Sequence, residues 1–192
     1  MPPVVGVLAL QGDFEAHATV LATLGAEAPI VRGPDELAGL DGLVLPGGES
    51  TTMTLGFERE GLAEPLRALI ESGTPTLATC AGLIMLDRNH LGVLDLTTRR
   101  NAFGRQVNSF ETDLELEGLD GGPLRAVFIR APWVEDCGPA VTVLAEVDGH
   151  PVAVRDGDVT AVAFHPELTP DDRLHRWLVE AASARRVQES AA

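Results

Sequence analysis

The chain has no tyrosine, two tryptophans, six phenylalanines and two cysteines among its 192 residues. Eight aromatic side chains argue against the stacking platforms that bind nucleobases. Cys80 and Cys137 are too few for a disulfide scaffold, so a reducing cytoplasm is the expected compartment. Every apolar run is broken by Gly, Pro or charge before it reaches the length of a membrane span, and no membrane association is expected. Basic residues are also scarce. Lys plus Arg number 14 against 29 Asp plus Glu, a net charge of −15. Such a chain repels phosphate backbones, so no nucleic-acid partner is expected. The opening segment MPPVVGVLALQGDFEAH lacks the basic region and cleavage site of a secretory signal, and is expected to enter the fold directly.

What remains is core material. The classes AVILMFWYC make up 45% of the sequence and charged residues 22%, enough for a sizeable core in one domain spanning residues 1–192, with the tail after Val187 expected to fray. Apolar runs at 4–10, 28–31, 42–45 and 75–79 read as buried strands. They alternate with helical segments: one capped by Asp13 and closed at Gly25, a turn at 35–40, one capped by Ser50, one over 62–70, and a short apolar helix from Leu83 to Leu86. This order predicts a three-layer α/β fold, a mostly parallel sheet with helices on both faces. The second half changes character. Strands over 110–116, 126–129 and 141–147, and a hairpin turning at Arg155–Asp158, predict an added antiparallel portion. A last helix is expected with Thr169 as N-cap and Pro170 at its first position.

Three segments carry chemistry. Cys80 stands where a strand gives way to a helix, among small neighbours. A helix N-terminus favours the thiolate, which at neutral pH is otherwise only a few per cent of an ordinary thiol. His165-Pro166-Glu167 follows the strand over 159–164. In extended chain, residues i and i+2 share a face, so Glu167 can reach a ring nitrogen of His165 and leave the other to serve a thiolate. Pro-Gly-Gly-Glu-Ser at 46–50 ends a strand at the same sheet edge, and its glycines let backbone N–H groups point inward at an anion. One such donor contributes about 3–4 kcal/mol to an acyl-transfer transition state. Each segment also has a plain structural reading: a buried cysteine, a surface turn, an ordinary Gly-rich loop. The other histidines (17, 90, 150 and 175) read as surface or packing residues, because no second ligand stands at metal spacing. No metal is expected.

Taken together, QG (11–12), LPGGESTTM (45–53), TCAGLI (79–84), RNAFGRQ (100–106), FIRAP (128–132) and FHPEL (164–168) occur in the order found in one family. The chain resembles the glutaminase subunit of pyridoxal 5′-phosphate synthase, a class I, triad-type glutamine amidotransferase, over nearly all of residues 4–180. The resemblance implies a flavodoxin-like class I amidotransferase fold and hydrolysis of L-glutamine to L-glutamate and ammonia. Cys80 is similar to the nucleophile, His165 to the general base and acid, and Glu167 to its orienting carboxylate. Gly48, Glu49 and Ser50 match the loop that holds glutamine, and Arg100, Ile129 and Arg130 match further glutamine contacts. Backbone N–H groups of Gly48 and Ala81 are the expected oxyanion donors. No cofactor is implied. The implied partner is a (β/α)8-barrel synthase subunit, in a complex with up to twelve copies of each subunit, that uses the ammonia for vitamin B6 biosynthesis. Two departures stand out. Ala78 occupies a position two before the cysteine where the family usually has glycine, and the stretch between Leu86 and Arg100 is shorter. Two rival readings stay open: a glutaminase serving another synthase, such as imidazole glycerol phosphate synthase, and a non-catalytic module that keeps the fold.

Overall fold

The computed structural model describes residues 1–104 and 109–190, the last two by backbone alone. Arg105 and Gln106, the end of the RNAFGRQ motif, therefore lie outside the described residues. The first half alternates strand and helix: β1 (Val5–Leu8), α1 (Phe14–Thr23), β2 (Ile30–Val31), β3 (Gly42–Leu45), α2 (Ser50–Glu60), α3 (Ala63–Glu71), β4 (Thr76–Thr79) and α4 (Ala81–Leu86). Seven strands follow: β5 (Leu96–Arg99), β6 (Ser109–Leu114), β7 (Leu124–Ile129), β8 (Trp133–Cys137), β9 (Thr142–Val147), β10 (His150–Asp156) and β11 (Val159–Val162). Helix α5 (Arg173–Ser190) comes last and runs past Val187, beyond which the sequence suggested fraying.

The main sheet has the order β2-β1-β3-β4-β11-β10-β9. β2, β1, β3, β4 and β11 are mutually parallel, and β10 runs antiparallel to both β11 and β9. Every residue of β1, β3 and β4 is buried, which is why these strands read as unbroken apolar runs. The crossover from β1 to β2 moves one way along the sheet and that from β3 to β4 the other. Right-handed crossovers then put α1 and the α2–α3 pair on opposite faces. α5 packs on α1 and over β3 and β4, where Arg186 pairs with the nearly buried Asp41 at 2.8 Å. Among the described residues no helix is long and apolar enough to cross a membrane.

The antiparallel addition is larger than expected. Beyond the β10–β11 hairpin, β6 pairs with β7 and β5 with β8 as two separate ribbons. β5 and β8 escaped the sequence reading because they are surface strands of polar composition, with a bulge between Thr97 and Thr98. Phe103, Phe110, Phe128, Trp133 and Phe164 form one aromatic cluster, with Phe110 and Phe128 stacked at 4.5 Å and the others edge-on. Five of the eight aromatic side chains are thus spent fastening the β6–β7 ribbon and its neighbouring loops to the end of β11. Trp133 also stacks on His150 at 3.6 Å.

Two caps differ from expectation. Glu49, not Ser50, caps α2, its carboxylate accepting from the N–H groups of Thr51 and Thr52. α5 begins at Arg173, because Thr169 closes the preceding turn onto Pro166 and Asp171 accepts from the Arg173 N–H. Asp13 does cap α1, accepting from the Ala16 N–H at 3.2 Å.

One close approach ties the fold to what it carries. A Cβ on Gly82 would run into the Leu45 carbonyl oxygen, so α4 can lie against β3 only with glycine there. Gly82→Ala is expected to cost about 2–4 kcal/mol in a urea unfolding experiment. Gly33→Ala, where a Cβ meets nothing within 4 Å, is expected to cost less than about 0.5 kcal/mol.

Candidate active site

The parallel strands β1, β3, β4 and β11 end at one edge of the sheet. Ligand sites of open α/β sheets form beyond the carboxyl ends of their strands, where the strand order reverses. The segments that leave these strands carry Gln11, residues 46–50, Cys80 and His165, and they surround a cleft of about 230 Å³. Gly48, Glu49, Ser50, Cys80, Ala81, Arg100, Ile129, Arg130 and His165, all singled out from sequence, line it. Glu167 stands behind His165. Gln11, Ile84, Asn101 and Pro132 also line the cleft. They were missed as site residues, although all four stand in quoted motifs, because no chemistry marks them in the sequence.

Cys80 occupies a strained turn. Its φ of 49° and ψ of −106° are unusual for a side chain with a Cβ, and such backbone costs on the order of 1–3 kcal/mol. The chain around it compensates. Its N–H donates to the Val162 carbonyl at 2.8 Å, and the next residue, Ala81, opens α4, so the Ala81 N–H has no partner within the helix. The departure at Ala78 falls where the backbone does not need glycine. Ala78 lies inside β4, paired with Leu45 and Ala161, and the positive φ falls on the cysteine itself. Asn101 (φ 47°) and Arg130 (φ 45°) share this trait. Of the four such non-glycine residues described, only Asp148 lies away from the cleft.

His165 has two neighbours. Its Nδ1 lies 2.7 Å from Glu167 Oε1, and its ring lines the cleft together with Cys80. The carboxylate can only accept, so Nδ1 carries the hydrogen and Nε2 is left for the sulfur. Burial opposes a charge on this ring, but the neighbouring Cys80 and the bond to Glu167 outweigh it and raise its pKa well above the ordinary value. The sequence argument had Glu167 reach back along extended chain. Instead β11 ends at Val162 and Pro166–Leu168 form a 3-10 turn, which brings the two side chains together. The His165 N–H is held by the Val127 carbonyl at 2.9 Å, so the β6–β7 ribbon sets the position of the imidazole. Gly47 gives the ring its room, since a Cβ there would lie 2.6 Å from His165 Cε1 and 3.1 Å from Cys80 Cβ.

Two histidines read from sequence as surface or packing residues are fully buried behind Glu167. His17 Nδ1 and His175 Nε2 lie 2.8 Å apart, and His17 Nε2 lies 3.3 Å from Glu167 Oε2 and 3.4 Å from Thr79 Oγ1. Burial pushes both rings down to about 4, for His17 against the attraction of Glu167. The two residues are 158 positions apart, and no sequence signal joins them.

The loop side of the cleft is held by Glu49. Besides capping α2, it accepts from Arg100 Nη2 at 3.0 Å. The N–H groups of Thr51 and Thr52 hold its carboxyl well below the usual carboxylate range. Gly48, at φ 144°, packs against Gln11, and a Cβ there would collide with that side chain. Across the cleft the Cys80 S–H lies 4.0 Å from the Ile129 carbonyl.

Comparison with known proteins settles the family. The model of the SNO glutamine amidotransferase family matches residues 7–184. The chain belongs to that family. The pyridoxal 5′-phosphate synthase subunit PdxT of Acidothermus cellulolyticus is 57% identical to it, with 95% of each chain covered. The PdxT subunit of Streptomyces coelicolor is 51% identical, with 98% of each chain covered. A crystal structure of a glutamine amidotransferase superposes with a TM-score of 0.86 at 49% identity, covering 93% of this chain and 98% of that one. A glutamine amidotransferase from Thermotoga maritima shares the fold at 15% identity, with a TM-score of 0.64, 100% of this chain and 87% of that one being covered. The family resemblance drawn from the motifs, and the fold it implied, are borne out.

The buried pair gives the family member a pH signature. In the unfolded chain His17 and His175 take up protons near 6.5, and in the folded chain only near 4. Unfolding therefore binds protons in that window, and these residues lower stability as pH falls from about 6.5 toward about 4. His165 acts in the opposite sense, its contribution being full below 6.5 and lost as pH rises through its folded value. Urea midpoints measured across the lower window are expected to fall more steeply for the wild-type chain than for His175→Phe.

Proposed function

We propose that the chain is a glutaminase that hydrolyses L-glutamine to L-glutamate and ammonia, and that Cys80, His165 and Glu167 carry the reaction. The observation that bears most weight is the imidazole of His165, which shares the cleft lining with Cys80 and is bonded on its other side to the buried Glu167. The Cys80 thiolate adds to the side-chain carboxamide carbon. Charge then develops on the amide oxygen, for which the backbone N–H groups of Gly48 and Ala81 are the proposed donors. The His165 imidazolium protonates the departing nitrogen as the C–N bond breaks, releasing ammonia and leaving a glutamyl thioester. His165, now neutral, takes a proton from water. The hydroxide adds to the thioester, the C–S bond breaks, and glutamate leaves with the thiolate restored. Glu167 keeps the ring in one tautomer and steadies its positive form.

Glutamine itself is the next part of the reading. Gly48, Glu49, Ser50, Arg100, Ile129 and Arg130 are proposed to hold it. Arg100 is already paired with Glu49. Arg130 has no ion-pair partner among the described residues, which suits it to the α-carboxylate of the substrate.

The names of the relatives support the destination of the ammonia. They are subunits of pyridoxal 5′-phosphate synthase, and the proposed acceptor is accordingly a (β/α)8-barrel synthase subunit, met in the cytoplasm in a large complex of up to twelve copies of each. The acidic surface suits a partner with a complementary basic patch. A glutaminase serving a different synthase would share the chemistry and differ in which partner stimulates it.

Ammonia release is to be measured with and without the cognate synthase subunit. Cys80→Ala is expected to reduce it at least about 1,000-fold while the chain stays folded, and Arg130→Met is expected to raise KM about tenfold or more with a smaller change in kcat. Undiminished turnover by the Cys80→Ala chain would refute the assignment, and stimulation by another synthase alone would redirect the partner.

A further inference from the structure

Glu167 has two carboxylate oxygens, and the proposed reaction uses one. Oε1 accepts from His165. Oε2 is buried and accepts no hydrogen bond of good geometry. The carboxylate meets His165 from its own turn and His17 from α1, and His17 in turn meets Thr79 of β4 and His175 of α5. No arginine pairs with this carboxylate among the described residues. Its partners among them are two imidazoles.

The protons on those imidazoles can be assigned from the contacts. His17 Nε2 faces the carboxylate oxygen at 3.3 Å and the Thr79 hydroxyl, which can accept as well as donate, at 3.4 Å, so Nε2 is assigned the hydrogen. A neutral His17 then has a bare Nδ1, which must accept from His175 Nε2 at 2.8 Å. That leaves His175 Nδ1 bare as well. It is buried and without a partner, a state that costs a lone pair less than it would cost a stranded N–H. The orphaned atom at the far end and the carboxylate at the near end thus fix the same direction for both rings. Burial keeps both neutral at physiological pH.

We infer that His17, oriented by His175, is a positioning residue for the glutaminase reaction. Its Nε2–H faces Glu167 Oε2, keeps that carboxylate aimed at His165, and so holds the base that serves Cys80. The inference rests on the reading of Cys80, His165 and Glu167 given above. At 3.3 Å, with Thr79 Oγ1 at 3.4 Å, the contact is long. Contacts of this kind tighten as charge develops in the reaction. A neutral donor suits the task better than an arginine, because a full positive charge behind Glu167 would compete with the imidazolium in front of it.

The test uses the full chain in complex with its synthase partner, and two variants that separate the nitrogens. The amide nitrogen of glutamine falls roughly where Nε2 of histidine lies, and that of asparagine roughly where Nδ1 lies. His17→Gln is expected to stay within about threefold of wild type. His17→Asn is expected to lose about 10–100-fold in kcat, the usual effect of removing an outer-shell partner, with KM within about twofold. The pH profile of Cys80 alkylation by iodoacetamide gives the readout that packing alone does not move. Its upper limb, where His165 loses its proton, is expected at lower pH in His17→Asn by about one unit. Equal losses in the two variants, or wild-type behaviour in both, overturn the inference and leave the glutaminase reading standing. A wild-type complex that releases no ammonia sinks that reading instead. Imidazole nitrogen shifts of the unaltered chain decide the matter even if a variant does not fold: Nε2–H on both His17 and His175 supports the inference, and Nδ1–H on His17 overturns it.

Discussion

Strand β4 is paired in parallel with β3 on one side and β11 on the other, and most of the site follows from that one pairing. It sets three chain ends side by side: the glycine loop after β3, the cysteine after β4 and the histidine after β11. The Cys80 N–H reaches across to Val162, so the ladder continues one residue past the strand and pins the nucleophile's backbone in a conformation it would not choose alone. The crowding at this edge explains the glycines. Gly47 leaves room for the imidazole and Gly82 lets α4 approach β3. The strain at Cys80 sits between the fully buried β4 and the fully buried α4, where it can be held.

Around this frame the charge is arranged by depth. Glu49 and Arg100, at the mouth of the cleft, are partly exposed and screened. Cys80 and His165 form the middle layer, with Glu167 nearly buried beneath them. Below lie two imidazoles whose burial denies them a proton. One ring is thus favoured in its charged form and two in their neutral form within a few ångströms. The difference lies in the balance with burial: the hydrogen bond to Glu167 and the neighbouring Cys80 overcome it at His165, whereas at His17 burial outweighs the attraction of Glu167 and at His175 burial alone acts.

The parts legible in the sequence were those whose cause is local. β1, β3 and β4 are buried on both faces and appear as plain apolar runs. Asp13 caps its own helix, and the strand-to-helix turn at Cys80 announces itself by small residues. His165 and Glu167 are two residues apart, so their partnership could be guessed, though the backbone joining them is a turn rather than a strand. What escaped depended on distant neighbours. β5 and β8 are polar ribbons that are strands only because they pair with each other. Glu49 takes the cap from Ser50 because its longer side chain reaches two N–H groups and Arg100 together. His17 and His175 come together only because α5 packs over α1.

The aromatic cluster gives the molecule an optical property. With no tyrosine in the chain, near-ultraviolet absorption rests mainly on two indoles. Trp177 lies under Arg155 on α5, while Trp133 sits edge-on to Phe103, stacks on His150 and follows directly on Arg130–Pro132 at the cleft. Indole emission follows its surroundings, so the light from Trp133 depends on how the ribbons bearing the cleft's outer wall are seated. The protein therefore carries, next to its site, a native fluorophore that senses the seating of that wall without any label.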